Sequence, residues 1–268
     1  MGINRRDFLK IAGISTLVGI GGASGLTLVK SGVLEASQYF DDPRALKAKR
    51  WGFAIDMMKF KAPEDYKKVM DACHIIHNVP EIGNPKEEIK WIWPESYEHA
   101  FPSQDHANPY IKDFFKKKPF LVLCNHCDNP PCVRVCPTKA TFKRQSDGIV
   151  MMDMHRCIGC RFCMAGCPYG ARSFNWRDPR PFIKNINPKY PARMKGVVEK
   201  CTFCYERLAV GLKPACVEAS NGGIIFGDLN DPNSDIRKVL ASSYSIRRKP
   251  ELGTLPSVFY IIGGQEYA

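Results

Sequence analysis

The sequence predicts an α+β fold of small cysteine-rich units joined by long irregular loops, behind a distinct N-terminal segment. Most of the 12 cysteines in the 268 residues fall into three groups. Short apolar stretches of strand length lie beside these groups, and a helical pattern covers 62–77. The stretches 78–118 and 176–196 are rich in proline and charge and predict loops. A chain of this length can form one large domain or two small ones.

The sequence of residues 1–36 indicates a targeting segment. Arg5 and Arg6 precede an apolar run at 11–29 that contains five glycines, which resembles a twin-arginine export signal. A chance arginine pair before a membrane helix is the alternative, although the run is short and diluted by glycine. Cleavage after Ala36 would put Leu34 where a small residue is usual. The segment is therefore either a signal peptide or a retained anchor.

The stretch CIGCRFCMAGCP at 157–168 carries the clearest chemical pattern. Its cysteines are separated by two, two and three residues, and a proline follows the last one. This spacing is typical of iron–sulfur proteins, in which three cysteines bind one cluster and the fourth binds the other cluster of a pair. A matching motif, CNHCDNPPCVRVCP, occurs upstream at 124–137.

Crossed ligation assigns these eight cysteines to two [4Fe–4S] clusters. Cysteine set 1 comprises Cys124, Cys127, Cys132 and Cys167, and cysteine set 2 comprises Cys136, Cys157, Cys160 and Cys163. Disulfides are disfavoured because cysteines so close in sequence cannot each reach an unstrained partner. Zinc is disfavoured because the triple spacing does not divide into the usual pairs of ligands.

Between the two motifs the sequence predicts a hairpin, with strands at 140–143 and 149–152 around a turn at Asp147-Gly148. The phrase CPYGARSFN after the second motif repeats CPTKATF after the first. Together these features predict an inner two-cluster ferredoxin domain over 124–175.

A third group contains Cys201, Cys204 and Cys216, but Ser220 stands where a fourth cysteine would follow. Upstream, Cys73 is isolated in the predicted helix. Stepping back from Cys73 at cluster spacing reaches Pro63, Tyr66 and Val69, none of which binds iron. One motif has thus lost its first three ligands, and the other has lost its fourth.

Crossed ligation therefore predicts one further complete cluster and one lost cluster. Cysteine set 3 comprises Cys73, Cys201, Cys204 and Cys216. Three [4Fe–4S] clusters then use all 12 cysteines. Set 3 belongs to a predicted outer ferredoxin-like domain formed by 37–123 together with 176–268, which contains the insertion at 78–118.

Over roughly residues 50–268 the chain resembles the four-cluster ferredoxin-like electron-transfer subunits of membrane-bound and molybdenum-type oxidoreductases. The phrases that carry the resemblance are CNHCDNPPCVRVCP, DGIVMMDMHRCIGC, KGVVEKCTFCYERL, FGDLNDPNS and RRKPELGTLPSVFYI. Within that family, DACHIIHNVP, IKWIWPESYEHAFP and the export signal resemble the periplasmic iron–sulfur subunit of the Dsr-type transmembrane complex of sulfur-metabolising prokaryotes. The lost cluster departs from the family pattern.

The resemblance implies an electron-transfer subunit at the periplasmic face of a respiratory membrane complex. It would carry electrons between a multiheme cytochrome c and a quinone-interacting NrfD-type membrane subunit, beside the other subunits of that complex, in dissimilatory sulfur metabolism such as sulfate reduction. The alternative is the small subunit of a molybdopterin oxidoreductase or a periplasmic hydrogenase. The chain shows no nucleophile with its base, so no catalytic site of its own is expected.

Three further features of the sequence bear on its function. The net charge of +12 indicates no nucleic-acid partner, because bound thiolates would offset much of it. The aromatic residues of 78–118 form either a packed cover over a small core or a docking surface. His126, inside the first motif, either donates an N–H that raises a cluster potential or is a solvated loop histidine.

Overall fold

A computed structural model describes residues 42–108, 110 and 113–263, so the predicted export segment at 1–36 lies outside the described residues. The strands are β1 (Trp51–Asp56), β2 (Ile92–Glu95), β3 (Phe120–Leu123), β4 (Thr141–Lys143), β5 (Val150–Met152), β6 (Ser173–Phe174), β7 (Val198–Glu199), β8 (Ile224–Asp228), β9 (Tyr244–Ile246) and β10 (Val258–Gly263). The helices are α1 (Pro63–Ile76), α2 (Tyr97–Ala100), α3 (Pro102–Ala107), α4 (Asp113–Lys117), α5 (Pro131–Arg134), α6 (Phe162–Ala165), α7 (Tyr205–Leu208), α8 (Ala215–Ala219) and α9 (Asp235–Ser242). This content confirms the predicted α+β class.

The largest sheet joins the start and the end of the described chain, in the strand order β8-β1-β10-β9. Strand β1 runs parallel to β10 and antiparallel to β8. Its residues Phe53, Ala54 and Ile55 are fully buried, as expected of a central strand whose two faces are both covered. The Phe53 ring lies 4.5 Å from the Phe203 ring, so this sheet supports the loop that carries Cys201 and Cys204.

Three two-stranded ribbons flank the cysteine loops: β2–β3, β4–β5 and β6–β7. Strands β4 and β5 are antiparallel with Thr141 opposite Met152, which confirms the hairpin predicted around Asp147-Gly148. The ribbon of β2 and β3 pairs a strand of the insertion with the strand that leads into Cys124. The predicted division into inner and outer domains stays a prediction.

The aromatic residues of the insertion are largely in the core. Trp91 and Phe101 are each 1% exposed, and Tyr97 is 2% exposed. The Phe101 ring packs edge-on against Tyr260 of β10 at 5.2 Å. This burial favours the cover over the docking surface.

Helix α1 places Cys73 beside the third cysteine group. Pro63 is at its first turn, and the Asp65 carboxylate accepts the free N–H of Ala62 at 3.0 Å. Tyr66, Val69 and Cys73 form its buried face, which packs against α8. No helix in the described part of the chain has the length and apolar character needed to cross a membrane.

Candidate iron–sulfur cluster sites

The four cysteines of set 1 line one pocket, together with Tyr169 and Arg172. Burial raises the pKa of the Cys127 thiol to about 12, and the neighbouring Cys124 thiolate contributes. Burial and the Cys124 thiolate also raise the pKa of Cys167. Four thiolates so close together need a strongly positive group among them. The donor set therefore fits an iron–sulfur cluster.

The four cysteines of set 2 line a second pocket. Cys163 is buried, whereas Cys136, Cys157 and Cys160 are partly exposed. The backbone N–H of Thr141 donates to Cys136 Sγ at 3.4 Å. Burial raises the pKa of Cys136, but hydrogen bonds from Thr141 and Thr138 outweigh it and lower the pKa. Set 2 also fits a cluster, and it is the set nearest to solvent.

Cysteine set 3 assembles where α1 meets α8, and all four of its thiols are buried. Burial raises the pKa of Cys73, and the thiolates of the other three cysteines of set 3 add to that rise. The backbone N–H of Phe203 donates to Cys201 Sγ at 3.5 Å. The isolated Cys73 therefore lies among the three cysteines with which crossed ligation pairs it. The ligand assignments of all three sets stay predictions, and this geometry supports them.

The first Cys-x-x-Cys segment of each cysteine group contains a left-handed residue immediately before its second cysteine. The φ angles are +41° at His126, +71° at Gly159 and +55° at Phe203. At Gly159 an added Cβ would lie 2.5 Å from the Gly196 carbonyl oxygen, so the position requires glycine. The His126 and Phe203 rings stack with their centroids 3.7 Å apart, which packs the loops of sets 1 and 3 together.

The three sets lie in series. The Cys124 thiolate of set 1 acts on Cys201 of set 3, where it adds to the rise in pKa that burial causes. On the other side, Arg172 donates to Cys132 of set 1 at 3.1 Å and to Thr141 Oγ1 at 3.1 Å, and the Thr141 N–H donates to Cys136 of set 2. Set 1 therefore lies between set 3 and set 2.

Side chains fill the position at which the sequence predicts a lost cluster. The Ser220 hydroxyl accepts the Ile224 N–H at 2.9 Å and donates to the Val217 carbonyl at 2.7 Å. Val69 is fully buried. The Tyr66 hydroxyl donates to the Pro119 carbonyl at 2.9 Å. These residues form ordinary core in place of ligands.

The solvated alternative for His126 is wrong, because this side chain is 1% exposed. Its Nδ1 accepts the Val150 N–H at 3.1 Å, which assigns the ring proton to Nε2. Burial holds the pKa of His126 well below its usual range, so the ring is neutral. The proposed effect of its N–H on a cluster potential stays a prediction.

Three charged or titratable side chains that the sequence patterns did not predict lie beside the cysteine sets: Arg172, Lys200 and His77. Lys200 is fully buried and donates to the carbonyls of Val150 and Cys201. His77, one helical turn after Cys73, places Nδ1 2.8 Å from the Cys73 carbonyl oxygen. The spacing of four residues from Cys73 could have indicated His77, whereas no local pattern marks Lys200.

His77 also reaches the third cysteine group. Its Nε2 is 2.9 Å from Glu206 Oε1, and one ligand atom each of His77, Cys204 and Glu206 lie within 4.8 Å of one another. The His77 ring stacks on Trp91 at 4.6 Å, which connects the insertion to this site. The insertion therefore packs against the set 3 site through His77.

Comparison with known proteins agrees with this chemistry. Residues 117–180 match the model of the 4Fe-4S dicluster domain. The chain is 38% identical to the Hdr-like menaquinol oxidoreductase iron-sulfur subunit 1 of Archaeoglobus fulgidus, over 98% of this chain and all of that protein. It is 36% identical to the menaquinone reductase iron-sulfur cluster-binding subunit of Nitratidesulfovibrio vulgaris, over 79% of this chain and 88% of that protein. The iron-sulfur subunit of a putative dimethyl sulfoxide reductase of Halobacterium salinarum is 48% identical over 52% of this chain and 53% of its own length.

The fold and the cysteine sites define an iron–sulfur protein of the ferredoxin type. The chain belongs to the family of iron–sulfur electron-transfer subunits of respiratory membrane complexes.

Proposed function

We propose that this chain holds three [4Fe–4S] clusters, one in each cysteine set, and conducts electrons through them within a quinone-linked membrane complex. The observation that carries the proposal is the assembly of all 12 cysteines into three groups of four, each drawn from two motifs. Two groups belong to the inner domain at 124–175, and the third belongs to the outer domain.

The chain's own residues would bind the clusters and exclude water from them. The thiolates hold the iron, and each cluster when bound supplies one-electron exchange. Backbone N–H groups such as those of Thr141 and Phe203 stabilise sulfur charge through hydrogen bonds. Burial of set 3 beneath Trp91 and His77 keeps solvent from the end of the series.

Electrons would enter or leave the series at set 2. Its cysteines are the most exposed of the three sets, and the large apolar side chains of its own loop are in solvent. Ile158 is 68% exposed and Phe162 is 59% exposed. An apolar rim around a partly exposed cluster allows a redox partner to approach closely.

The proposed partners follow from the relatives and from the sequence resemblance. The names of two relatives specify a menaquinol oxidoreductase and a menaquinone reductase, which supports a quinone-linked complex. We infer an NrfD-type membrane subunit on the quinone side and a multiheme cytochrome c on the other. The complex would work at the extracytoplasmic face of the membrane in sulfur metabolism.

One relative favours a second candidate function. The similarity to the iron-sulfur subunit of a putative dimethyl sulfoxide reductase covers about half of the chain. The chain would then connect a membrane subunit to a separate molybdopterin subunit, or by analogy to a hydrogenase.

Isolation of the intact complex tests the two functions. The chain would carry an affinity tag at its C-terminus and be purified anaerobically from detergent-solubilised membranes. Covalently bound heme, without molybdenum or nickel, is expected. Menadiol, a soluble menaquinol analogue, should reduce the clusters in the complex but not in the separated chain. Molybdenum or nickel in place of heme would favour the second function, and clusters that menadiol cannot reduce in the complex would contradict the quinone link.

A further inference from the structure

Arg172 contacts one cysteine set directly and reaches a second through Thr141. The side chain is 4% exposed. Its Nη2 donates to Cys132 Sγ of set 1 at 3.1 Å, and its Nη1 donates to Thr141 Oγ1 at 3.1 Å. The backbone N–H of Thr141 in turn donates to Cys136 Sγ of set 2 at 3.4 Å. Burial raises the pKa of Cys163 of set 2, and the charge of Arg172 opposes that rise.

No carboxylate among the described residues pairs with Arg172, which is unusual for a buried guanidinium. Arg193, which is also buried, has the usual partner: its Nε donates to Glu199 at 2.7 Å. A guanidinium stays charged in proteins, and a buried charge is costly without a counter-charge. The counter-charge of Arg172 is therefore thiolate sulfur, from Cys132, which accepts its N–H, and from Cys163, on which its charge also acts.

We propose that Arg172 is a positioning residue that raises the reduction potentials of the clusters in sets 1 and 2 together and leaves that of set 3 largely unchanged. This inference rests on the proposed function. A positive charge and hydrogen bonds to ligand sulfur favour the more negative, reduced form of a cluster, and so raise its potential. Because the charge of Arg172 acts on sulfur of both sites, it raises both potentials.

The position also suits electron transfer between the two sites. When one electron moves from set 1 to set 2, the first cluster is oxidised by one electron and the second is reduced by one. The sum of negative charge beside Arg172 is unchanged, so the guanidinium keeps its counter-charge throughout. A cation held between the two sites therefore adds little to the electrostatic reorganisation that the transfer requires.

Redox titration of the anaerobic protein, followed by electron paramagnetic resonance, tests the proposal. Arg172→Met removes the charge and both hydrogen bonds at similar length. The midpoint potentials of the set 1 and set 2 signals should fall, and that of set 3 should move much less. Cys73→Ser and Cys160→Ser identify which signal belongs to which set. Arg237→Met removes an equal charge from the surface of α9 and should move none of the three signals.

Two further variants separate the effect of the Arg172 charge on the potentials from the effect of its side-chain shape. Arg172→Lys keeps a cation and should keep both potentials near their original values, whereas Arg172→Gln keeps a neutral donor and should lower them. If Arg172→Met prevents cluster insertion, the Lys and Gln variants still test the proposal. Retention of clusters in the Lys variant but not in the Gln variant assigns the effect to charge. Any of three results would overturn the proposal. These are unchanged potentials in a Met variant that holds all its clusters, an equal shift of all three signals, and a Lys variant whose potentials fall as far as those of the Gln variant. Iron and sulfide in the unmutated chain test the three clusters independently of these potentials.

Discussion

Arg172 and Thr141 occupy equivalent positions in two copies of an internal repeat and are hydrogen-bonded to each other at 3.1 Å. Each lies five residues after the last cysteine of its motif, in CPYGAR and CPTKAT respectively. His126 and Phe203 show the same relationship, since each precedes the second cysteine of its loop and their rings stack at 3.7 Å. Equivalent residues thus meet at the junctions between cysteine sets.

The purified, anaerobic protein should contain iron and sulfide near 12 atoms each per chain, because 12 cysteines supply ligands for three [4Fe–4S] clusters. Elemental analysis and acid-labile sulfide give the two counts. Values near 8 would mean that one cysteine set stays empty, and values near 16 would require non-cysteine ligands at the lost site.

Cys73→Ser should affect one cluster of the three. Cys73 lies among Cys201, Cys204 and Cys216, so its loss removes one corner of the set 3 cluster and should convert it to a [3Fe–4S] species. Electron paramagnetic resonance spectra of the as-isolated and dithionite-reduced protein detect the conversion, and iron is counted in parallel. Cys160→Ser is the matched control and should alter the set 2 signal. An unchanged spectrum and a full iron content in Cys73→Ser would mean that Cys73 is a buried core residue and not a ligand.

Ser220→Cys should not create a fourth cluster. The structure places Tyr66 and Val69 in the core where three ligands would be needed, and the ring of Phe60 packs 5.1 Å from that of Tyr66. The variant should keep the original iron count and lose some stability, because the Ser220 hydroxyl makes two backbone hydrogen bonds that a thiol makes less well. Four additional iron atoms per chain would show that the site is still functional.

Gly159→Ala should destabilise the set 2 site more than Gly170→Ala. Both positions have positive φ, and a left-handed alanine costs roughly 1–2 kcal/mol. At Gly159 the added Cβ would also meet the Gly196 carbonyl oxygen at 2.5 Å, whereas nothing lies within 4 Å at Gly170. The rate at which visible cluster absorbance is lost on warming measures the difference. Equal rates for the two variants would mean that the loop adjusts without cost.

Replacement of Arg5 and Arg6 by Lys should hold the folded, cluster-loaded protein in the cytoplasm. The prediction follows from the twin-arginine pattern, which lies outside the described residues. Cell fractionation with an antibody to the chain gives the distribution. Normal export of the Lys-Lys variant would contradict this interpretation of residues 1–36.

The sequence by itself determined the elements whose signals are local. Strand β1, the β4–β5 hairpin and helix α1 follow from residue periodicity and turn residues, and cysteine spacing predicted the type of cofactor. Spacing also predicted the partners of Cys73, because crossed ligation is a rule about motifs. These properties depend on residues that are near one another in the chain.

Only the tertiary structure decided the order of the three sets and the charges between them. Lys200 and Arg172 look like ordinary basic residues in the sequence, and their burial depends on strands and loops that are distant along the chain. His126 lies in a motif loop that suggests solvent, yet Phe203 and Val150 enclose it. Burial and long-range hydrogen bonding are sums over residues far apart in sequence, so no local pattern encodes them.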